Sequence, residues 1–230
     1  MIRQCVHLAF AMIVALSGAA FAQSSDRTSS EAAQPEQAAP LFYYAGAAGR
    51  LTTDRDAQGG NPFASALVEV LQQPGLTLRD FGAKVAAATF IRSGGWQSPE
   101  VPKVTPSPGW KFAANPDEQR VALVLVNADY SKSGVTSLPG ALFDSARVTA
   151  ALTQAGFDTK LVLDGGGELV RRELAAFAAR SAEADAAIIY AGGHGVQHSR
   201  VVYWILGDYP EPQSSKWLGS HAIALREIGG

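Results

Sequence analysis

His194 is the residue of this sequence best suited to chemistry. It lies in the segment Gly192-Gly-His-Gly195, where three glycines allow a sharp turn and leave backbone amides uncovered. An apolar run at residues 186–190 precedes it and is typical of a strand buried on both faces of an α/β sheet. Because open α/β sheets place their chemistry at the carboxyl ends of parallel strands, His194 is a candidate general base. The alternative is a histidine that only caps a glycine-rich loop.

The elements that would position His194 are predicted by hydrophobic periodicity and turn residues. They are strands at residues 121–126, 159–163 and 201–206, a helix at residues 140–155, and a helix face marked by Val170, Leu174 and Phe177. The resulting βαβαβ order requires right-handed crossovers and a parallel sheet. Beyond Gly207 the chain is loop-like, and residues 222–228 are predicted to begin a helix.

The first half of the chain contains its own secondary-structure signals. Residues 41–44 form a short aromatic strand. Asn61 is the N-cap of a predicted helix that has Pro62 at its first position, where a missing N–H group costs nothing. Thr77 begins a second helix, with Asp80 as its capping-box partner. This half is therefore also predicted to be α/β.

Composition narrows the class of protein. The chain has 230 residues, which is enough for one large or two small domains with a proper core. Its formal net charge is −2, with 47% hydrophobic and 17% charged residues, an ordinary globular composition. Without a basic field, nucleic acid is not an expected partner.

The N-terminal segment is predicted to be a secretory signal peptide spanning residues 1–22. It has an apolar core and ends in the small-x-small pattern Ala20-Phe-Ala22, which predicts cleavage after Ala22. The alternative is a buried apolar N-terminal helix. Residues 23–40 lack apolar periodicity and are predicted to be a disordered linker. A secreted or periplasmic protein is expected, with no membrane attachment after cleavage.

Cys5 is the only cysteine of the chain, and it lies inside the predicted signal peptide. After cleavage the protein would contain no thiol. Disulfides, thiolate metal sites and a cysteine nucleophile are therefore not expected in the mature chain. Neither a cofactor nor a metal ion is predicted.

Three motifs of the second half resemble the caspase-like (caspase, metacaspase and paracaspase) cysteine peptidases. They are Tyr190-Ala-Gly-Gly-His-Gly-Val-Gln197, Arg120-Val-Ala-Leu-Val-Leu-Val-Asn127 and Leu138-Pro-Gly-Ala-Leu-Phe-Asp-Ser-Ala146. The resemblance covers most of residues 119–209. It implies a caspase-like three-layer α/β sandwich with a mainly parallel sheet, with His194 as the catalytic histidine and the amide of Gly195 in the oxyanion hole.

Residues 41–114 resemble the small-subunit part of the same family, through Gly59-Gly-Asn-Pro-Phe63 and Gly94-Gly-Trp-Gln-Ser-Pro99. In the family this part follows the catalytic cysteine, whereas here it precedes the histidine-bearing half, residues 115–230. The halves are therefore expected in permuted order, although an unrelated α/β segment is the alternative. The cysteine strand, an apolar run followed by Asp-x-Cys, is not found in the sequence, so we expect the fold to be incomplete.

Asp144 matches an acidic residue that lines the first substrate pocket of metacaspase-like members, which implies a preference for Arg or Lys before the scissile bond. The alternative is a helix-start aspartate that interacts with the helix dipole. Asp129, near the end of the first strand, is a weaker candidate. Asp54 and Asp56 are compatible with calcium, but two carboxylates in one loop are more typical of a solvated turn.

The functional expectation is a homologue of cysteine endopeptidases that is inactive by itself because the nucleophile is missing. The alternatives are a fragment or split form of an active peptidase, completed by a missing segment or a second chain, and a noncatalytic secreted binding scaffold. A peptide or protein with basic residues is the expected partner. In the family the cysteine strand lies between the histidine strand and the strand matching residues 41–44. Without it, we expect those two strands to pair directly or to keep open edges that allow self-association.

Overall fold

The computed structural model describes residues 9–16, 39–47, 50–103, 107–199, 201–210 and 214–228. The strands are β1 (Ala9–Leu16), β2 (Leu41–Tyr44), β3 (Arg120–Val126), β4 (Asp158–Leu163), β5 (Ala186–Gly192), β6 (Gly195–His198), β7 (Val201–Ile205) and β8 (Ala222–Ala224). The helices are α1 (Pro62–Leu71), α2 (Leu78–Arg92), α3 (Pro139–Gln154), α4 (Gly167–Ser181) and α5 (Leu218–His221).

Five strands form the main sheet, in the order β2-β1-β5-β3-β4. The strands β3, β4 and β5 are parallel, as the βαβαβ pattern predicts. The strand β1 is antiparallel to both β5 and β2, so β2 points in the same direction as β5. The predicted α/β class and the mainly parallel sheet are confirmed.

Helices cover both faces of this sheet. Every residue of β3 and β5 is buried, as expected for continuous apolar runs. On one face, Val124 and Ile188 lie in a core with Phe63 of α1 and Val148 of α3. The opposite face of the same two strands packs against α4 in a second core. The arrangement is a three-layer sandwich, and it holds β5 rigidly at its centre.

Local capping signals fix where the helices of the first half begin. The side chain of Asn61 accepts hydrogen bonds from the N–H groups of Phe63 and Ala64. Thr77 is the N-cap of α2, and its hydroxyl accepts the Asp80 N–H. The predicted capping box differs in its second bond, because the Asp80 carboxylate accepts the Thr77 hydroxyl and not the Thr77 backbone N–H. Both predicted helix starts are confirmed.

The strand β1 occupies the position between β5 and β2. We expected β2 and β5 either to pair directly or to keep open edges, and both expectations are wrong for the chain as described, because Ala9–Leu16 pairs with both. The prediction that residues 1–22 are a signal peptide stays a prediction, since the pairing of Ala9–Leu16 describes the uncut chain. Residues 1–8 and 17–38, which carry the rest of the predicted signal peptide and nearly all of the predicted linker, lie outside the described residues. Cleavage after Ala22 stays a prediction.

A second, three-stranded antiparallel sheet with the order β6-β7-β8 follows the main sheet. The helix predicted for residues 222–228 is wrong: Ala222–Ala224 pairs with β7 as β8, and a short 3-10 helix at Leu225–Glu227 follows. Ala222 lies in the first core and Ile223 in the second, as the alternation of side chains along a strand allows. Among the residues described, no helix is both long enough and apolar enough to cross a membrane.

Candidate functional site

His194 lies directly beyond the carboxyl end of β5 and is 1% exposed. Its backbone N–H donates to the hydroxyl oxygen of Tyr130 at 2.9 Å. That hydroxyl donates in turn to the carbonyl of Ile205, also at 2.9 Å. The two aromatic rings meet edge to face, with centroids 4.7 Å apart. Tyr130 therefore holds the histidine backbone against β7.

The imidazole of His194 is oriented by a backbone carbonyl. Its Nε2 atom lies 2.6 Å from the carbonyl oxygen of Thr136. Because a carbonyl oxygen can only accept, Nε2 carries the proton in the neutral ring and Nδ1 is the basic nitrogen. A general base needs a ring of this kind, in which one nitrogen carries the proton and the other is the basic nitrogen.

Gly193 is required at the turn between β5 and His194. Its φ angle is 151°, and an added Cβ atom would lie 2.4 Å from Nε1 of Trp204 and 2.5 Å from the hydroxyl of Tyr130. The indole N–H of Trp204 donates to the carbonyl of Gly192 at 3.1 Å. The absence of a side chain at Gly193 thus allows Trp204 and Tyr130 to pack directly against the backbone of the histidine loop.

The amide of Gly195 points away from the neighbouring strand. The Ile205 N–H donates to the His194 carbonyl at 2.9 Å, which makes Gly195 and Trp204 a non-hydrogen-bonded pair of the β6–β7 ladder. The N–H groups of such pairs face outward, and β6 is an edge strand of its sheet. This is the orientation that an oxyanion-binding amide requires, one residue after the base.

Asp144 lies on α3 with no exposed surface. One carboxylate oxygen accepts the backbone N–H of Asn61 at 2.7 Å. The other accepts Nη1 of Arg147 at 3.2 Å, and that guanidinium also donates to the hydroxyl of Ser65. Because α3 begins at Pro139 and has no acidic residue in its first turn, the alternative of a helix-start aspartate is wrong. Asp144 instead meets the start of α1.

Burial controls the ionisation of this carboxyl. It raises the pKa of Asp144 to about 7, even though the Asn61 amide and the Arg147 guanidinium both favour the charged form. Burial, with a smaller contribution from Asp144, raises the pKa of Tyr190 on β5 well above its ordinary value. Asp144 is therefore electrostatically linked to the strand that leads to His194.

The other carboxylates considered from the sequence have local partners. Asp54 accepts the N–H groups of Gly140 and Ala141 at 3.0 and 3.1 Å, so it caps α3. Asp56 lies 3.4 Å from Nη1 of Arg92. Asp129 is exposed and accepts the N–H of Ser131, which holds the pKa of Asp129 below its ordinary value. No cluster of metal-ligating side chains occurs among the residues that the structure describes.

Several residues that shape the site were not identified from the sequence. Thr136 acts through its backbone carbonyl, so its side-chain type carries no signal. Tyr130 lies in a polar loop, and only the rarity of a buried tyrosine there could have indicated a role. Arg147 stands three residues after Asp144, a helical spacing that does predict the ion pair.

The comparison with protein families supports the resemblance drawn from the motifs. Residues 119–211 match the family model described as the caspase domain. The matched segment runs from the start of β3 to beyond β7 and includes both His194 and Asp144. This part of the chain is therefore similar to a caspase domain. No curated protein and no solved structure was found to match the chain.

Proposed function

We propose that this protein is a caspase-like domain that binds extended peptides and does not cleave them by itself. The observation that carries the proposal is the state of His194: its ring is fixed by the Thr136 carbonyl in the form of a general base. The residues that the structure describes contain no cysteine to serve as its nucleophile. A base and an outward amide without a thiolate support recognition of a peptide carbonyl, not acyl transfer.

In this proposal the outward N–H of Gly195 donates to a carbonyl of the bound peptide, beside the His194 ring. Asp144 supplies the preference for a basic side chain, as the resemblance implies. Since Arg147 already pairs with Asp144 and no part of the carboxyl is exposed, an incoming Arg or Lys must displace the guanidinium of Arg147. Export with cleavage after Ala22, and a secreted or periplasmic location, belong to the same proposal and rest on the sequence pattern of residues 1–22.

The experiment is an assay of the purified full chain on peptide reporters that end in Arg or Lys. No turnover is expected. Cys5 is the one thiol that such a preparation contains. The pairing of Ala9 with Gly192 puts the start of β1 at the His194 end of the sheet, and four residues of chain can reach about 13 Å. The variants Cys5→Ser and His194→Ala must therefore be measured together. Turnover that both substitutions abolish would contradict the proposal.

A second candidate function is one part of a split peptidase, completed by a strand from another chain. It is favoured by the tautomer of His194, in which the Thr136 carbonyl holds the proton on Nε2 and makes Nδ1 the basic nitrogen that a cysteine nucleophile would need. A synthetic peptide with an apolar run followed by Asp-x-Cys, added to the full chain, tests it. Turnover that appears only with this peptide and disappears in His194→Ala would replace the first proposal. A serine in place of the peptide cysteine is the matched control.

The proposed preference for basic peptides has its own test. Asp144→Asn keeps an oxygen for the Asn61 amide and removes the charge, so it separates recognition from folding. Because charge-assisted hydrogen bonds contribute about 1.5–3 kcal/mol, binding of Arg peptides should weaken roughly 10-fold or more, while binding of neutral peptides should stay unchanged. If isothermal titration showed an equal loss of affinity for Arg peptides and neutral peptides, Asp144 would have only a structural role.

A further inference from the structure

The position between β5 and β2 is bordered by two strands that need a partner. Along β5, seven residue pairs with β1 run from Ala9 and Gly192 to Leu16 and Ala186. Along β2, four pairs run from Ala11 and Tyr44 to Val14 and Leu41. Each border would otherwise present unpaired N–H and C=O groups in the middle of a sheet. The position therefore has a defined length, polarity and register.

The segment that fills this position is tied to it by backbone pairing over a long sequence separation. The strand β1 is the one strand of the described main sheet that runs against the others. Its pairing with β5 shows an irregularity between Ala9 and Ala11, whereas β3 and β5 pair without interruption. Main-chain hydrogen bonds of this kind can be formed by any extended segment of suitable length, as in strand addition to sheets.

The chemistry of the occupant follows from its surroundings. All residues of β5 are buried, and β2 alternates buried with half-buried residues. A charged side chain inserted here would lose its hydration without a partner. The eight residues from 9 to 16, Ala-Phe-Ala-Met-Ile-Val-Ala-Leu, contain no charged or hydrogen-bonding side chain. The position thus selects an uncharged, extended, apolar segment of seven or eight residues.

From this we propose that the position between β5 and β2 is a strand-binding site for an apolar peptide running antiparallel to β5. In the uncut chain its occupant is Ala9–Leu16. The same residues lie within the segment predicted to be removed after Ala22, so removal would vacate the site for an apolar strand of a partner. The vacating of the site rests on the cleavage after Ala22 that the proposed function includes, whereas strand binding itself does not depend on the roles of His194 and Asp144.

The test uses the full chain with a protease recognition sequence placed between residues 23 and 38. After cutting, the N-terminal piece is held by pairing alone. A fluorescent peptide with the sequence of residues 9–16, made soluble by lysines added outside that sequence, is then supplied in excess. We expect uptake at one peptide per chain, seen by anisotropy. We also expect at least 10-fold weaker uptake of the same peptide with proline in place of Ile13, which pairs with both Phe42 and Ile189.

Hydrogen exchange provides an independent readout. The amides of β5 should stay protected in the uncut chain, lose protection when the cut piece is washed out, and regain it with the matching peptide but not with the proline peptide. Equal binding of both peptides, or unchanged protection of β5 after washing, would overturn the proposal. Dimers that exclude the labelled peptide would also overturn it, in favour of a second copy of the chain as occupant.

Discussion

Asp54 and Asp144 perform the same task in opposite directions across the contact between the two halves of the chain. Asp54, from the first half, accepts the backbone N–H groups at the start of α3. Asp144, on α3 itself, accepts the N–H of Asn61 at the start of α1. The first half thus caps a helix of the second, and the second half holds the N-cap residue of a helix of the first. The difference is access to water, since the Asp54 side chain is 21% exposed and that of Asp144 only 1%.

This difference shows that two carboxyls which both accept backbone N–H groups can still differ in hydration and in their need for a cation or a proton. A capping carboxylate that touches water retains part of its hydration, and its amide bonds stabilise the helix start. A buried one loses its hydration and needs a cation or a proton. Asp144 has Arg147 as the cation, and burial still raises the pKa of Asp144 to about 7. Asp144 therefore couples its contact with Asn61 to pH through its raised pKa.

The largest decrease in the free energy of unfolding is expected from Asp144→Ala. It leaves the buried Asn61 N–H without an acceptor and removes the partner of Arg147. We expect a loss of about 3 kcal/mol in the free energy of unfolding at pH 6, measured by urea denaturation. Asp144→Asn, which keeps an acceptor oxygen, is the control and should lose less than half as much. Equal losses would show that an acceptor oxygen for the Asn61 N–H is not what stabilises this contact.

The second largest effect expected is the change in folding stability with pH that Asp144 causes. The folded-state pKa of Asp144 is raised above its unfolded value, so the folded chain binds the proton more tightly than the unfolded chain does. Stability from this group is therefore present at low pH and is lost as pH rises through about 7. With one group, the loss from pH 5 to pH 7 is about 2 kcal/mol. Thermal unfolding of the wild type and Asp144→Asn should differ in this slope, and parallel pH profiles would contradict the assignment.

Asp54→Ala should have a smaller effect. It removes the acceptor of two N–H groups at the start of α3. These groups can form hydrogen bonds with water instead, because the site is partly exposed. We expect a loss of about 1 kcal/mol, typical of a helix cap, by the same urea measurement. Asp54→Asn should recover most of it. A loss as large as that of Asp144→Ala would mean that exposure does not distinguish the two carboxyls.

The smallest effect is expected from Asp158→Ala, a comparison outside the contact between the halves. Asp158 pairs with Arg180 at 2.5 Å, but the side chains are 79% and 39% exposed. Such pairs contribute about 0–1 kcal/mol, so unfolding should change by less than about 0.5 kcal/mol. A larger change would indicate that the surface near β4 is more tightly ordered than its exposure implies.

The parts of the fold that were predicted correctly depend on short stretches of chain. The caps at Asn61 and Thr77 involve residues two or three positions apart. The buried strands β3 and β5 are continuous apolar runs, and their parallel pairing follows from the βαβ order. The helix prediction for the β8 segment was wrong because its three small and aliphatic residues are compatible with either a strand or a helix. Only the pairing with β7 determines that the segment is a strand.

The features that the sequence did not predict arise from partners distant in the chain. Asp144 and the Asn61 amide that it accepts are 83 residues apart, and Thr136 reaches His194 across 58 residues. The apolar segment at residues 9–16 has two compatible interpretations, a signal-peptide core and a buried strand, and its composition cannot separate them. In each case local chemistry identifies a suitable residue, while the fold alone selects its partner.

The separation between β1 and β5 has a consequence for the timing of folding. During synthesis, Leu16 leaves the ribosome about 170 residues before its partner Ala186. At roughly 5–20 residues per second, the apolar segment waits about 8–35 s for β5, and of its two partner strands only the short β2 is made earlier. Contacts this distant in sequence also form slowly once both segments are present. Throughout that interval the segment is accessible to any machinery that recognises apolar N-termini, so synthesis rate becomes a variable that decides whether it enters the sheet.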